Sequence, residues 1–229
     1  MPQHIGIVAC SAEGAALCYR TICLEGTALL GTHNHPEVSM HTHPLAVYMK
    51  CVYAGDWAGV AELMMSSAEK LACAGADFLI CPDNTIHQAF DLVEHRSPRP
   101  WLHIAREVAC EAVRRHHKHI GVLGTRSLME SRVYPETLKA AGLDYRIPNA
   151  QQREKIDRII FDELVNGQFM PQSRAYFTGV IRELADGGCD AVVLGCTEIP
   201  LIMTQESSPL PTLDSTRLLA RAALKKAVG

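Results

Sequence analysis

The feature that most constrains this chain is a phrase written twice. Gly75-Ala-Asp-Phe-Leu-Ile-Cys-Pro-Asp-Asn-Thr-Ile86 lies over Gly188-Cys-Asp-Ala-Val-Val-Leu-Gly-Cys-Thr-Glu-Ile199 without a gap. The leading glycines coincide, Asp77 falls on Asp190, and Asp83 falls on Cys196. An earlier pair agrees, His4-Ile-Gly-Ile-Val8 with His119-Ile-Gly-Val-Leu123. The steps are nearly equal: 115 residues from His4 to His119, and 113 from Gly75 to Gly188. Such a chain is expected to fold as two related halves, each opening with a strand and later ending another strand in a polar turn.

Ala191 to Leu194 is apolar and partly β-branched, and reads as a buried strand. Pro200 suits the first turn of a helix. Cys196 therefore stands where a strand gives way to a helix. Backbone N–H groups and a helix dipole at such a place lower a thiol pKa and attract anions. The plainer alternative is a buried structural cysteine. Asp83 holds the matching position, either as an acid/base group or as the cap of the next helix. If the halves face each other about a pseudo-two-fold axis, Asp83 and Cys196 approach one site from opposite sides. Removing a proton from a carbon and returning it with inversion requires such a pair.

With 229 residues the chain suffices for one large domain or two lobes. Its 48% hydrophobic and 21% charged content is that of a soluble globular protein. The net charge of −3 argues against nucleic-acid binding through bulk charge. No apolar run approaches membrane-spanning length. Met-Pro-Gln-His leads at once into a strand, so no leader peptide is expected. Nine cysteines are scattered without a C-x-x-C pair, which fits reduced thiols in a cytoplasm better than a disulfide framework.

Strands alternate with helices, which predicts an α/β fold with a parallel sheet flanked by helices in each lobe. Amphipathic or charged helices are expected over Asp56–Ala74, Gln151–Asn166, Ser173–Ala185 and Arg217–Val228, the last packing back on the first half. The proline-rich breaks Arg96-Ser-Pro-Arg-Pro100 and Ser207-Ser-Pro-Leu-Pro211 place the first lobe at 1–98 plus 208–229 and the second at 99–207. Ligands of such sheets sit beyond the carboxyl ends of the strands, where Ser11, Asp83–Thr85, Thr125 and Cys196–Thr197 fall. There is no G-x-G-x-x-G for a dinucleotide and no G-x-S-x-G nucleophile elbow. Ser11 is then a carboxylate contact or an N-cap, and Arg126 an anion contact or a surface ion pair. His33, His35, His41 and His43 have H-x-H spacing but no companion carboxylate or cysteine set, and read as a histidine-rich surface or mouth loop. Alternation puts Cys81 on the same strand face as Asp83.

Several of these phrases together carry a resemblance that covers nearly the full length. They are the opening Gly6-Ile-Val strand and loop, Asn84-Thr85, Ile120-Gly-Val-Leu-Gly-Thr125, the Arg153–Leu164 helix, Val193-Leu-Gly-Cys-Thr-Glu-Ile-Pro200 and Asp214-Ser-Thr216. The chain resembles the aspartate/glutamate (hydantoin) racemase family, which works without pyridoxal phosphate. Glu198 is similar to the aspartate racemase branch, since glutamate racemases usually carry His there. The resemblance implies two α/β lobes with the active site in the cleft, a homodimer, an amino acid as small carboxylate-bearing substrate, and no metal or organic cofactor. It implies Cys196 as one acid/base on Cα. Ser11, Asn84, Thr85 and Thr197 would hold the α-carboxylate, with Thr125 of the matched Ile120–Thr125 phrase placed beside them.

One position departs from the pattern. Many members carry a second cysteine before Asn-Thr, and some a threonine, where this chain has Asp83. A carboxylate of pKa ~3.9 is a weaker base than a thiolate of pKa ~8.5 unless burial raises it. The expected function is racemisation through Cys196 on one face and Asp83 on the other. The alternatives are a one-cysteine decarboxylase or cis–trans isomerase of a small dicarboxylate, and a non-catalytic carboxylate-binding homologue. Contacts to the substrate side chain are expected from Thr42–Lys50 and Arg153–Ser173, without indicating which amino acid.

Overall fold

The structure, a computed structural model, describes residues 2–229. It divides into two compact units, the described residues up to Ile104 together with Thr216–Gly229, and Ala105–Ser215. The first contains β1 (Ile5–Ala9), α1 (Ala12–Leu30), β2 (Val38–Thr42), α2 (Leu45–Ala54), α3 (Trp57–Cys73), β3 (Phe78–Ile80), a 3-10 helix (Thr85–Leu92) and β4 (Trp101–Leu102). Then follow α4 (Ile104–Arg114), β5 (His119–Leu123), α5 (Arg126–Met129), α6 (Val133–Ala140), β6 (Asp144–Arg146) and α7 (Ala150–Arg158). A π-helix (Ile159–Glu163) and a 3-10 turn (Leu164–Asn166) lead to α8 (Pro171–Asp186), β7 (Ala191–Leu194), α9 (Ile199–Ile202), β8 (Thr212–Asp214) and α10 (Ser215–Val228).

Each unit has a four-stranded parallel sheet, ordered β2-β1-β3-β4 in the first and β6-β5-β7-β8 in the second. The fold class is therefore α/β, two parallel sheets flanked by helices, with the same strand order in both. Both unit boundaries lie past the proline-rich breaks. The short strands that follow those breaks, β4 and β8, pair back onto β3 and β7 and stay with the sheet before them.

The repeated phrase has a structural reason. Gly75 and Gly188 take φ of +95° and +94°, where a side chain would be strained, so each turns the chain from helix into strand. Asp77 Oδ2 accepts from the His4 backbone N–H at 2.8 Å, and Asp190 Oδ2 accepts from that of Lys118 at 2.8 Å. In each half this carboxylate ties the strand after the helix to the strand that opens the half. Apolar side chains then alternate across the first sheet. Val8 and Leu79 pack on Val60, Met64, Ala68 and Leu71 of α3. Ile5, Ile7, Phe78 and Ile80 pack on Cys18 and Ile22 of α1 and on Leu219, Ala220 and Ala223 of α10. In the second sheet Leu123, Val192 and Leu194 pack on Ile156 of α7 and on Phe177, Val180, Ile181 and Leu184 of α8. Burying each such branched side chain contributes roughly 1.5–3 kcal/mol.

Candidate active site

In the first unit the expected residues lie at the carboxyl ends of β1 and β3, whose Ile7 and Ile80 are register partners. The sheet thereby delivers Ser11 and the Pro82–Thr85 turn to one end. Ser11 Oγ accepts from the Gly14 N–H at 3.2 Å and caps α1. Asp83 Oδ1 accepts from the Ile86 N–H at 3.1 Å, at the start of the 3-10 helix. Both side chains thus take the capping role that the sequence left open. The Asp83 backbone is also fixed: His87 Nδ1 lies 2.6 Å from its carbonyl oxygen, and His87 Nε2 lies 3.4 Å from the Ile104 amide nitrogen. A carbonyl only accepts and an amide N–H only donates, so His87 carries its proton on Nδ1. Asn84 is buried and Thr85 half-buried at the same turn.

Cys81 does not reach this surface. β3 ends at Ile80, so strand alternation no longer governs residues 81–83, and the thiol turns into the core among Val8, Leu79 and Ile86. Burial, and then the nearby Asp83 carboxylate, push the Cys81 thiol well above its ordinary range.

In the second unit β5 and β7 deliver Thr125 and the Gly195–Glu198 turn in the same way. Thr125 Oγ1 accepts from the Leu128 N–H at 3.1 Å and caps α5. Cys196 is 8% exposed, Thr197 4% and Glu198 3%, so this turn is buried. Within it the Cys196 thiol donates to Glu198 Oε2 at 2.9 Å, and the Thr197 hydroxyl donates to the same oxygen at 2.7 Å. A buried carboxylate without partners would be costly, and these two donors offset that cost. The local electrostatics differ from the sequence expectation. α9 has only four residues, too few for a substantial helix dipole, and the charge facing the thiol is a side-chain carboxylate. Glu198 entered the sequence reading only as a branch marker. Its side chain folds back two residues across a turn, which no helical or strand period reveals.

The remaining candidates separate. Arg126 pairs on the surface with Glu130 at 3.2 Å, and Arg153 pairs with the same carboxylate at 3.1 Å. His33 and His35 are exposed, whereas the His41 and His43 rings stack edge-on with centroids 4.9 Å apart. Among the described residues, no group of three or more His, Cys, Asp or Glu side chains is placed to hold a metal, and no helix is long and apolar enough to cross a membrane.

A family model described as Asp/Glu/Hydantoin racemase matches residues 7–223. The broad specificity amino-acid racemase RacX of Bacillus subtilis (strain 168) is 23% identical over 191 residues, covering 83% of this chain and 82% of the relative. A crystal structure of a candidate Asp/Glu racemase from Yersinia pestis superposes with a TM-score of 0.91 at 30% identity, covering 99% of this chain and 100% of that one. An aspartate racemase homologue from Pyrococcus horikoshii OT3 superposes with a TM-score of 0.86 at 26% identity, over 100% of both chains. With the doubled sheet, the strand-end turns and this near full-length match, the chain belongs to the Asp/Glu/hydantoin racemase family.

Proposed function

We propose that this protein is a cofactor-independent amino-acid racemase in which Cys196 exchanges the proton on one face of the substrate Cα and Asp83 on the other. The single observation that carries the reading is the buried Cys196–Glu198 hydrogen bond of 2.9 Å. In one direction the Cys196 S–H proton passes to Glu198 Oε2, and the thiolate so formed takes the Cα proton. Asp83, entering that turnover protonated, delivers its proton to the opposite face. Ser11, Asn84, Thr85, Thr125 and Thr197 would hold the α-carboxylate, whose oxygens gain charge as the Cα–H bond breaks. The reverse direction exchanges the roles. Nine free cysteines suit a reducing cytoplasm, and a homodimer is part of the same reading.

A second reading has one observation in its favour. Asp83 Oδ1 is engaged as a cap, so Cys196 alone would do the proton chemistry, as in a decarboxylase or a cis–trans isomerase of a small dicarboxylate. Chiral chromatography of aspartate, glutamate and a panel of basic and neutral amino acids, with native protein and with Cys196→Ser, separates the two. Racemisation lost in Cys196→Ser supports the first reading. Turnover of malonates or maleate with no racemisation across the panel would replace it with the second.

A further inference from the structure

The segment that follows Asp83 winds more tightly than an α-helix, and one buried side chain stands where the two windings differ. The His87 backbone N–H donates to the Asn84 carbonyl, three residues back, at 3.3 Å. An α-helix would send that N–H to the Asp83 carbonyl, four residues back. Here the Asp83 carbonyl accepts instead from the His87 ring, whose Nδ1 lies 2.6 Å away. The Cys81 thiol approaches the same oxygen only to 4.0 Å. The other ring nitrogen, Nε2, accepts from the Ile104 N–H at 3.4 Å, long for such a bond. The short bond is therefore the one to the turn. The ring is also held in place. His87 is 3% exposed, stacks on Phe90 with centroids 5.4 Å and planes 13° apart, and meets His103 edge-on at 4.6 Å. Phe90 and His103 are themselves buried. Packing in this aromatic cluster would be served by a phenylalanine, whereas the carbonyl needs a ring with a donor at Nδ1.

We propose that His87 is a positioning residue for racemisation. Its Nδ1–H holds the Asp83 carbonyl out of the helix, and so keeps the 3-10 winding that sets where Asp83, Asn84 and Thr85 present their side chains. The inference rests on reading those three residues as acid/base and carboxylate-holding groups. With the ring bond made, the His87 backbone N–H stays with Asn84, and the Asp83 side chain stays on the Ile86 N–H at 3.1 Å. Without the ring bond, the Asp83 carbonyl can be satisfied by the His87 backbone N–H, as in an α-helix. That exchange loosens the first turn from about 120° to about 100° per residue and swings Asp83 and Asn84 against the rest of the helix. A shift of about 1 Å in a reacting group can cost about 100-fold in rate. His87 acts through the turn, not on the substrate.

Racemisation kinetics of the native protein, His87→Phe and His87→Asn, with melting temperatures measured beside them, test this. Phenylalanine keeps the ring and its stacking but has no donor. Asparagine leaves a gap in the stack but carries an N–H group at the place of Nδ1. His87→Phe should lower kcat/KM about 100-fold while melting closer to the native protein than His87→Asn does. His87→Asn should hold kcat/KM within about threefold of native, because the carbonyl keeps its donor. A packing role gives the opposite order, with activity following stability. Native kcat/KM in His87→Phe, or losses in the two variants that follow their melting temperatures, overturns the proposal and leaves the racemase reading in place. NMR of the histidine rings in the native protein gives a second readout that depends on no variant. The His87 ring should carry its proton on Nδ1, and a proton on Nε2 alone overturns the proposal. A native protein that racemises nothing across the amino-acid panel overturns the racemase reading, and the positioning role falls with it.

Discussion

The turn at Pro82–Thr85 and the turn at Gly195–Glu198 occupy the same place in two sheets of one strand order, yet they hold their central residue differently. Asp83 is tied to backbone: its carboxylate accepts from the Ile86 N–H, and its carbonyl from His87. Cys196 is tied to a side chain, the buried carboxylate of Glu198. The repeat fixes where a group is presented, and its neighbours decide what the group can do with a proton. Asp83 gains a fixed position, while Cys196 gains a side-chain carboxylate as its hydrogen-bond acceptor.

The comparison breaks most sharply at Glu198. Replacing it by Gln keeps the shape and a hydrogen-bonding group but removes the proton acceptor. Racemisation by Glu198→Gln should fall about 100-fold or more in kcat with KM nearly unchanged. A native kcat would make Glu198 a structural partner only. The Asp83 side should respond in two opposed ways. Asp83→Asn keeps the cap and loses the proton, so its melting temperature should stay near native while kcat falls about 100-fold. Asp83→Cys loses the cap, at about 1 kcal/mol of stability, but supplies a stronger base, and racemisation should rise. Denaturant melts run beside the kinetics read both effects, and a rate unchanged in both variants would remove Asp83 from the chemistry.

Smaller effects test whether the halves are equivalent as scaffolds. Gly6 and Gly121 are repeat partners, but their surroundings differ. A Cβ on Gly6 would sit 2.5 Å from Leu79 Cδ2 and 2.9 Å from Ala76 Cβ, and on Gly121 its nearest neighbour would be Leu184 Cδ1 at 3.0 Å. Ala76 Cβ cannot swing aside. Gly6→Ala should therefore cost about 1–3 kcal/mol in urea unfolding, and Gly121→Ala clearly less. Equal costs would mean that the first sheet relaxes more than its packing indicates.

The weakest effect is a pH dependence specific to the first unit. Burial, and then Lys70, hold His41 and His43 below the ordinary histidine range. A histidine depressed in the folded state is protonated first in the unfolded chain. It therefore exacts no penalty above pH ~6.5 and destabilises the fold as pH falls below that. Urea midpoints should drop from pH 7.5 to pH 5.5, and Lys70→Met should make the drop smaller. An unchanged drop would leave burial as the whole cause.

The repeat made the paired strands, the two lobes and the strand-end turns legible, because glycine with positive φ and the strand-tying aspartate leave a fixed spacing. What it could not show has local reasons. β4 has two residues, too few for a period, so the breaks before β4 and β8 read as boundaries although those strands close the sheets. α2 follows Pro44 and buries only Tyr48, which gave no apolar stripe to find. The helix expected over Gln151–Asn166 changes to π and then 3-10 pitch after Arg158, a shift in winding without a marker in residue type. Four histidines close in sequence part into two exposed ones and a stacked pair, because only His41 lies on β2 facing α3.

The claim that two groups serve two faces of one carbon is tested most directly by racemising each enantiomer in deuterium oxide and reading Cα label at low conversion. The account predicts deuterium in the product enantiomer and hydrogen retained in the remaining substrate, from both starting enantiomers. Hydrogen carried over into the product would show one group serving both faces, and would contradict it.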